Sequence, residues 1–230
     1  MGPTVEETAI RSLLADSGWS QLPQACLEDV LAAGTIVQLA QDDVLPGRVA
    51  IVLQGVIGAF RGDDLAQAAV TALYFPRDLI ELDDLPDDGV DMLVAMRPAQ
   101  VLSLPASALH AAMHKHAPLA QEVLTRVKRQ AHDLREHVAE LTGKAPEHRL
   151  ASFLIWVSEV TDPTGDQLSF ELPMRRYDMA RYLGMQPETL SRKIKALLAT
   201  GAISLRTPSN MVIEDREALV SLARSARRAA

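Results

Sequence analysis

A single cysteine, Cys26, is all that 230 residues hold for thiol chemistry. One thiol excludes an intramolecular disulfide framework and a cysteine-ligated metal cluster within the chain, and it fits a reducing cytoplasm. Its place in an amphipathic pattern over residues 22–33 predicts a buried structural group. Long apolar runs are missing too. No window approaches the roughly 20 residues that span a bilayer, so no membrane partner is expected. The first ten residues, MGPTVEETAI, lack the basic-then-apolar pattern of a targeting signal. Internal repeats and low-complexity tracts are absent. So are a phosphate-binding loop, a nucleophile triad and a paired-carboxylate motif in a matching context, which argues against an enzyme.

What is present is enough for one large core or two small ones, since 48% of the residues are hydrophobic. The formal charge of −7 looks unsuited to a nucleic-acid partner until it is divided. From Pro173 to Ala230 there are 11 Lys+Arg against 5 Asp+Glu, a balance of +6, which leaves −13 for residues 1–172. An acidic body with a basic end suggests double-stranded DNA as a partner of that end.

The basic end contains the most informative stretch. Met179, Ala180 and Leu183 form one apolar stripe at helical spacing, and Leu190, Ile194, Leu197 and Leu198 form another. Gly184 sits where a left-handed residue closes the first helix, Pro187 suits the first turn of the second, and Gly201 ends it. This is helix-turn-helix grammar, in which the second helix enters the major groove. With its apolar positions turned inward, that helix leaves Gln186, Glu188, Thr189, Ser191, Arg192, Lys193 and Lys195 facing out. Glu188 and Arg192 stand one above the other. As an ordinary i,i+4 surface pair they contribute a few tenths of a kcal/mol; on a short helix after such a turn, base reading is the better assignment. Ala202–Arg206, the turn Thr207–Asn210 and Met211–Ile213 predict a hairpin wing, with Arg206 and Ser209 touching phosphates. Arg176 is expected to add a further phosphate contact.

Earlier in the chain, residues 6–17 and 22–33 read as short amphipathic helices. Between Thr35 and Leu104 the period changes. Short β-rich runs at 35–39, 49–53, 56–60, 69–75, 92–96 and 100–104 are punctuated by Gly, Pro and Asp turns, as in a small jelly roll. The acidic run Asp83–Asp88 lacks calcium-loop spacing and is expected to be solvated. After a short helix at 106–115, a long one runs over 118–141. Leu119, Val123, Val127, Ala131, Leu134, Val138 and Leu141 recur along it at steps of three or four, close to a heptad seam. So narrow a stripe suits packing against its own domain or against a twin helix, and a parallel homodimer is the favoured reading. Gly143–Pro146 breaks this helix as a natural hinge, and 147–160 begins the last domain as a helix. His110, His114 and His116, in a polar stretch without a cysteine partner, are expected at the surface. The expected α+β architecture is therefore an N-terminal sensor roll (1–116), a dimerisation helix (117–143) and a winged helix-turn-helix domain (144–230).

That order, the string Glu147-His148-Arg149-Leu150-Ala151-Ser152-Phe153-Leu154 and the run from Leu172 to Arg192 (LPMRRYDMARYLGMQPETLSR) together resemble the CRP/FNR family of bacterial transcription regulators. The likeness covers about residues 25–220 and is most specific over 145–213. Glu188-Thr189-Leu190-Ser191-Arg192 matches the E-x-x-S-R recognition pattern of the FNR-type branch. The resemblance implies a cytoplasmic homodimer whose cyclic-nucleotide-binding-like roll senses a signal and whose long helices relay it to DNA-binding domains. It implies palindromic sites with TTGAT-like half-sites, and RNA polymerase as a partner where the protein activates. Two departures bear on cofactors. Cys26 alone cannot hold the iron–sulfur cluster of oxygen-sensing members. Where cyclic-nucleotide binders of the family present an Arg-Ser pair to the phosphate, this chain reads Gly89-Val90-Asp91-Met92, and a carboxylate repels a phosphate anion. No response to cyclic AMP is expected. The signal stays open between haem, as in nitric oxide or carbon monoxide sensors of this family, another ligand, and none. A Soret band in the absorption spectrum would identify haem. A cupin-type enzyme needs histidines converging from strands, and all six histidines lie outside 35–104.

Overall fold

The structure is a computed structural model and describes residues 10, 12–14, 18–62, 64–82, 91–161 and 169–224. The acidic run Asp83–Asp88, the segment Asp162–Gly165 that its sequence predicts to be a turn, and the tail residues Arg227-Arg228 lie outside the described residues, as does most of the helix expected over 6–17. The side chain of Asp91 is likewise not described. The chain forms two compact units, Met1–His132 and Asp133–Ala230. Among the described residues no helix is long and apolar enough to cross a membrane.

In the first unit, helix α1 (Gln24–Ala33) precedes seven strands: β1 (Thr35–Leu39), β2 (Val49–Gln54), β3 (Ile57–Arg61), β4 (Ala69–Tyr74), β5 (Leu79–Glu81), β6 (Asp91–Ala95) and β7 (Ala99–Ser103). They form two antiparallel sheets, ordered β1-β7-β2-β5 and β4-β3-β6. This is the expected roll. Alternation splits its buried residues into two sets. Ala50, Val52, Val101 and Ile80 join Ile57, Ala59, Leu93 and Ala95 in a core shared by both sheets. Ile51, Leu53, Leu79 and Leu102 face the other way, onto a cluster of helical residues. Strand β2 is buried along five of its six positions because both of its faces are covered. β5 escaped the sequence reading, since three residues are too few for alternation to show.

Cys26 is fully buried in the helical cluster. Burial, and secondarily the nearby Asp29 carboxylate, push its thiol pKa up, which suits an inert packing group. Helices α2 (Ala106–Lys115) and α3 (Ala117–Gly143) follow the roll. His116 Nε2 lies 2.7 Å from Asp29 Oδ2, and Lys115 Nζ meets the same oxygen at 2.6 Å. Among the described residues no group of three or more His, Cys, Asp or Glu gathers as a metal set would.

Helix α3 corrects the expected seam. Leu119 is fully buried and Val123 nearly so, both inside the helical cluster of their own unit together with Trp19 and Leu109. They cannot face a twin helix. The large apolar residues left exposed are Leu124, Val127, Leu134 and Val138, each 42–51% accessible. With Ala131 and Leu141 they fall at alternating steps of three and four, the a and d positions of a single heptad register. Two stripes therefore run along one helix, and spacing alone merged them. The roll-facing stripe is secured by polar bonds. Arg126 donates to the Arg77 carbonyl and pairs with Glu122 at 2.6 Å, while Gln130 Nε2 donates to the Leu79 carbonyl at 2.6 Å. Arg77 is held at φ +79°, uncommon for a side-chain-bearing residue. Its carbonyl also receives Trp19 Nε1 at 2.8 Å, and the Arg126 guanidinium lies 4.7 Å from the centre of the Trp19 ring.

The second unit holds α4 (Pro146–Thr161), β8 (Ser169–Glu171), α5 (Arg176–Tyr182), α6 (Pro187–Ala199), β9 (Ile203–Leu205), β10 (Asn210–Ile213) and α7 (Arg216–Arg224). The strands pair as β8-β10-β9, all antiparallel. α7 was not anticipated from the sequence. Its signal was Asp215, whose Oδ1 accepts from the Ala218 N–H at 2.9 Å as an N-cap. Leu219 and Ala223 then form its buried face.

Candidate nucleic-acid interface

Helix α5 ends as the sequence requires. Gly184 takes φ +59°, the Met185 N–H donates to the Ala180 carbonyl at 2.9 Å, and the Gly184 N–H to the Arg181 carbonyl at 3.1 Å. These two bonds are the Schellman pair, and they satisfy carbonyls the helix end would otherwise leave open. A Cβ on Gly184 would also stand 3.0 Å from Leu141 Cδ2, so conformation and space both select glycine. Gln186 is the N-cap of α6 and Pro187 its first residue. Leu190, Ile194 and Leu197 of α6 are buried, and α6 packs on α4 and α5. Each such side chain contributes roughly 1.5–3 kcal/mol on burial, enough to fix which face of α6 turns outward.

On that outward face Glu188, Ser191, Arg192 and Lys195 line one shallow hollow with Pro187. Glu188, Arg192 and Lys195 are exposed, Ser191 is half-buried between them, and Gln186 is exposed at the helix start. Glu188 and Arg192 form no ion pair among the described residues. Both are left available for a ligand that offers a donor to one and acceptors to the other. Thr189 is half-buried and lies outside this hollow, on the flank it shares with Lys193. Lys193 is engaged, with its Nζ 2.8 Å from Glu147 Oε2. That bond, and secondarily one from its own backbone N–H, hold the Glu147 carboxyl below its usual range.

The other expected contacts gather at the hairpin. Thr207 Oγ1 accepts from the Asn210 N–H at 2.9 Å and orders the turn between β9 and β10. Arg176 Nη2 reaches the Pro208 carbonyl at 3.4 Å, which places it beside Ser209 at the wing tip. Arg206 is exposed, with Nη1 3.3 Å from Ser169 Oγ. Two basic groups, Arg176 and Arg206, thus stand at the wing, and two more, Arg192 and Lys195, line the hollow on α6. Their chemistry suits a polyanion with readable edges: guanidinium and ammonium groups for phosphates, and a carboxylate–guanidinium pair for bases.

Behind the interface, rings fill the angle between the end of α3 and α5. His137 stacks on Tyr182 at 4.0 Å and 9°, and Tyr182 lies 5.7 Å from Phe153 and 6.4 Å from Trp156. Burial lowers the His137 pKa, which favours the neutral ring, and burial raises that of the Tyr182 hydroxyl. Sequence reasoning passed over His137 and Tyr182 as contact residues because they are 45 positions apart with no local pattern between them.

Residues 148–222 match the family model of the Crp-like helix-turn-helix domain. The chain is 25% identical over 173 residues to the anaerobic regulatory protein of Haemophilus influenzae, a match that covers 74% of this chain and 67% of that protein. It is 24% identical over 160 residues to the transcriptional activator protein anr of Pseudomonas aeruginosa, covering 69% and 66%. The chain thus spans about two thirds of the length of these curated relatives. Among solved structures, FixK2 from Bradyrhizobium japonicum has a TM-score of 0.72 over 84% of this chain and 98% of its own, at 21% identity, a likeness of fold.

Proposed function

We propose that the chain is a CRP/FNR-type transcription regulator, as its Crp-like helix-turn-helix domain and its likeness to such regulators support, and that it acts as a homodimer reading an inverted repeat of TTGAT-like half-sites, under control of a signal received by its roll. The observation that supports this most directly is the hollow on α6. Glu188, Ser191, Arg192 and Lys195 share one outward face of a helix whose buried face and N-terminal turn fix its orientation. In a major groove Arg192 donates to guanine O6 and N7, and Glu188, one turn away, accepts from cytosine N4 around the same G·C pair. Ser191 meets a thymine methyl or O4. Gln186 reaches out from the helix start, and Thr189 lies on the flank of the same helix. Arg176, Lys195, Arg206 and Ser209 bind phosphates, which adds affinity that falls with salt and carries little sequence information. The exposed stripe on α3 supplies the two-fold partner. In this dimer RNA polymerase is a further partner where the protein activates.

Selection from random duplexes with the full-length protein tests this. An inverted repeat with half-site centres about one helical turn, or about 10 bp, apart is expected. An enriched motif without two-fold symmetry, or no enrichment, would overturn it.

The roll's signal is not cyclic AMP in this proposal. By the family resemblance, Asp91 and Met92 occupy the sequence positions at which a phosphate anchor is expected. Calorimetric titration of the purified protein with cyclic AMP and with cyclic GMP is expected to give no saturable binding in the micromolar range. Saturable binding there would place the phosphate anchor elsewhere in the roll and defeat the expectation.

A further inference from the structure

We propose that Arg149 is a positioning residue that fixes the DNA-reading helix to the end of α3 and thereby sets which half-site spacing the dimer accepts. This role rests on the DNA-reading function proposed above. Arg149 lies in the first turn of α4, and its guanidinium bonds two separate segments at once. Nη1 donates to the Leu141 carbonyl at 3.1 Å and the Lys144 carbonyl at 3.2 Å, and Nη2 donates to the Gly184 carbonyl at 3.0 Å. The first two acceptors lie in the last turn of α3 and one residue beyond its end, where carbonyls lack helical partners and a cation is favoured. The third belongs to the turn that introduces α6. A planar group with five fixed donors can span these three carbonyls; an ammonium on a flexible stem cannot hold all of them in one geometry.

The surrounding contacts make the same connection. Leu141 packs against Gly184, and His137 stacks on Tyr182. Lys144 Nζ bonds Glu140 Oε1 at 2.8 Å and Ser152 Oγ at 2.9 Å, and Lys193 ties α6 to Glu147. Gly143–Pro146, expected from composition to be a hinge, is therefore cross-braced on both sides. The compact unit that carries α6 begins at Asp133, so it includes the seam positions Leu134, Val138 and Leu141. In a dimer joined along α3, the separation of the two α6 helices then follows from the seam itself, for as long as Arg149 holds.

One added base pair shifts one half-site by about 3.4 Å along the axis and turns it by about 34° relative to the other, from a repeat of about 10.5 bp. A braced pair of reading helices cannot follow that change, and an unbraced pair can. The test measures binding of full-length protein to duplexes carrying the selected half-sites at the preferred spacing and at one base pair more and fewer. Wild-type protein is expected to bind the altered spacings at least about tenfold more weakly, a penalty comparable to a base mismatch. R149M is expected to keep its dimeric mass and to bind all three spacings within about threefold of one another. A residue that merely stabilised the domain would lower affinity for every spacing by one factor, so an R149M profile parallel to that of wild type overturns the role. If R149M does not fold, R149K carries the test: a smaller difference between the preferred and altered spacings than in wild type supports the role, and a profile identical to wild type overturns it. Wild-type protein that binds none of the duplexes overturns the DNA-reading function itself, and the role with it.

Discussion

Replacing Leu134 by aspartate is expected to yield a monomer that no longer holds its operator. Leu134 is 51% exposed in the single chain, so the substitution leaves its own packing intact. In a parallel pair of α3 helices it occupies a d position, between Ala131 and Val138 at a, and a carboxylate there is buried with no partner. Removing such a charge from water costs several kcal/mol per chain, and the two-fold relation places both carboxylates in the same layer. The seam is short and carries an alanine at its centre, so it has little stability to spare. Without the dimer each half-site is bound independently, which forfeits a factor of about 10²–10⁴ in avidity. Analytical ultracentrifugation reads the mass and titration of a labelled inverted repeat reads the affinity. Circular dichroism should show unchanged helix content. The same change at Leu119 is expected to act differently. That residue is fully buried in the helical cluster of the roll, so an aspartate there unfolds the first unit. A Leu134→Asp protein that sediments as a dimer would sink the register assigned to the seam.

Replacing Glu188 by alanine is expected to relax the preference at the G·C position of each half-site by about 1–3 kcal/mol, the discrimination of one good base contact. Glu188 is exposed, lines the hollow on α6 and forms no ion pair among the described residues. Its removal therefore leaves the helix and its buried face unchanged. What is lost is an acceptor for the cytosine amine, and with it the rejection of pairs that present a carbonyl there. Lys195→Ala is the contrasting variant. Its ammonium sits on the same face, and in a groove it meets phosphate, so binding should weaken about equally for all sequences and the salt dependence should fall by about one contact. Repeating the random-site selection with both variants separates the two roles. A Glu188→Ala motif indistinguishable from that of wild type would defeat the base-reading assignment while leaving the phosphate contacts standing.

The elements of the candidate interface were legible because short-range chemistry specifies them. Gly184 is the residue that closes a helix in the left-handed region, Pro187 is the residue that opens one, and stripes at three and four residues orient both helices. None of these depends on a distant partner, and the turn forms with the bonds such a sequence requires. The roll was legible for a related reason, since alternation and turn residues repeat over its longer strands. Strand β5 was too short to alternate, and α7 was overlooked although Asp215 caps it.

The composition, the division of charge, the helix-turn-helix and the strand runs were thus determined by the sequence alone, through preferences that act within a few residues. Tertiary structure decided which of two apolar stripes on α3 meets the roll, because Leu119 and Leu124 are equally hydrophobic and only their neighbours distinguish them. It also decided that Lys193 binds Glu147 while Arg192 and Lys195 remain on the open face. Above all it brought the Arg149 guanidinium to the carbonyls of Leu141, Lys144 and Gly184. A backbone carbonyl is the same group at every residue and leaves no mark in the sequence, so a side chain that binds one 35 positions away can be found only when the fold has placed them together.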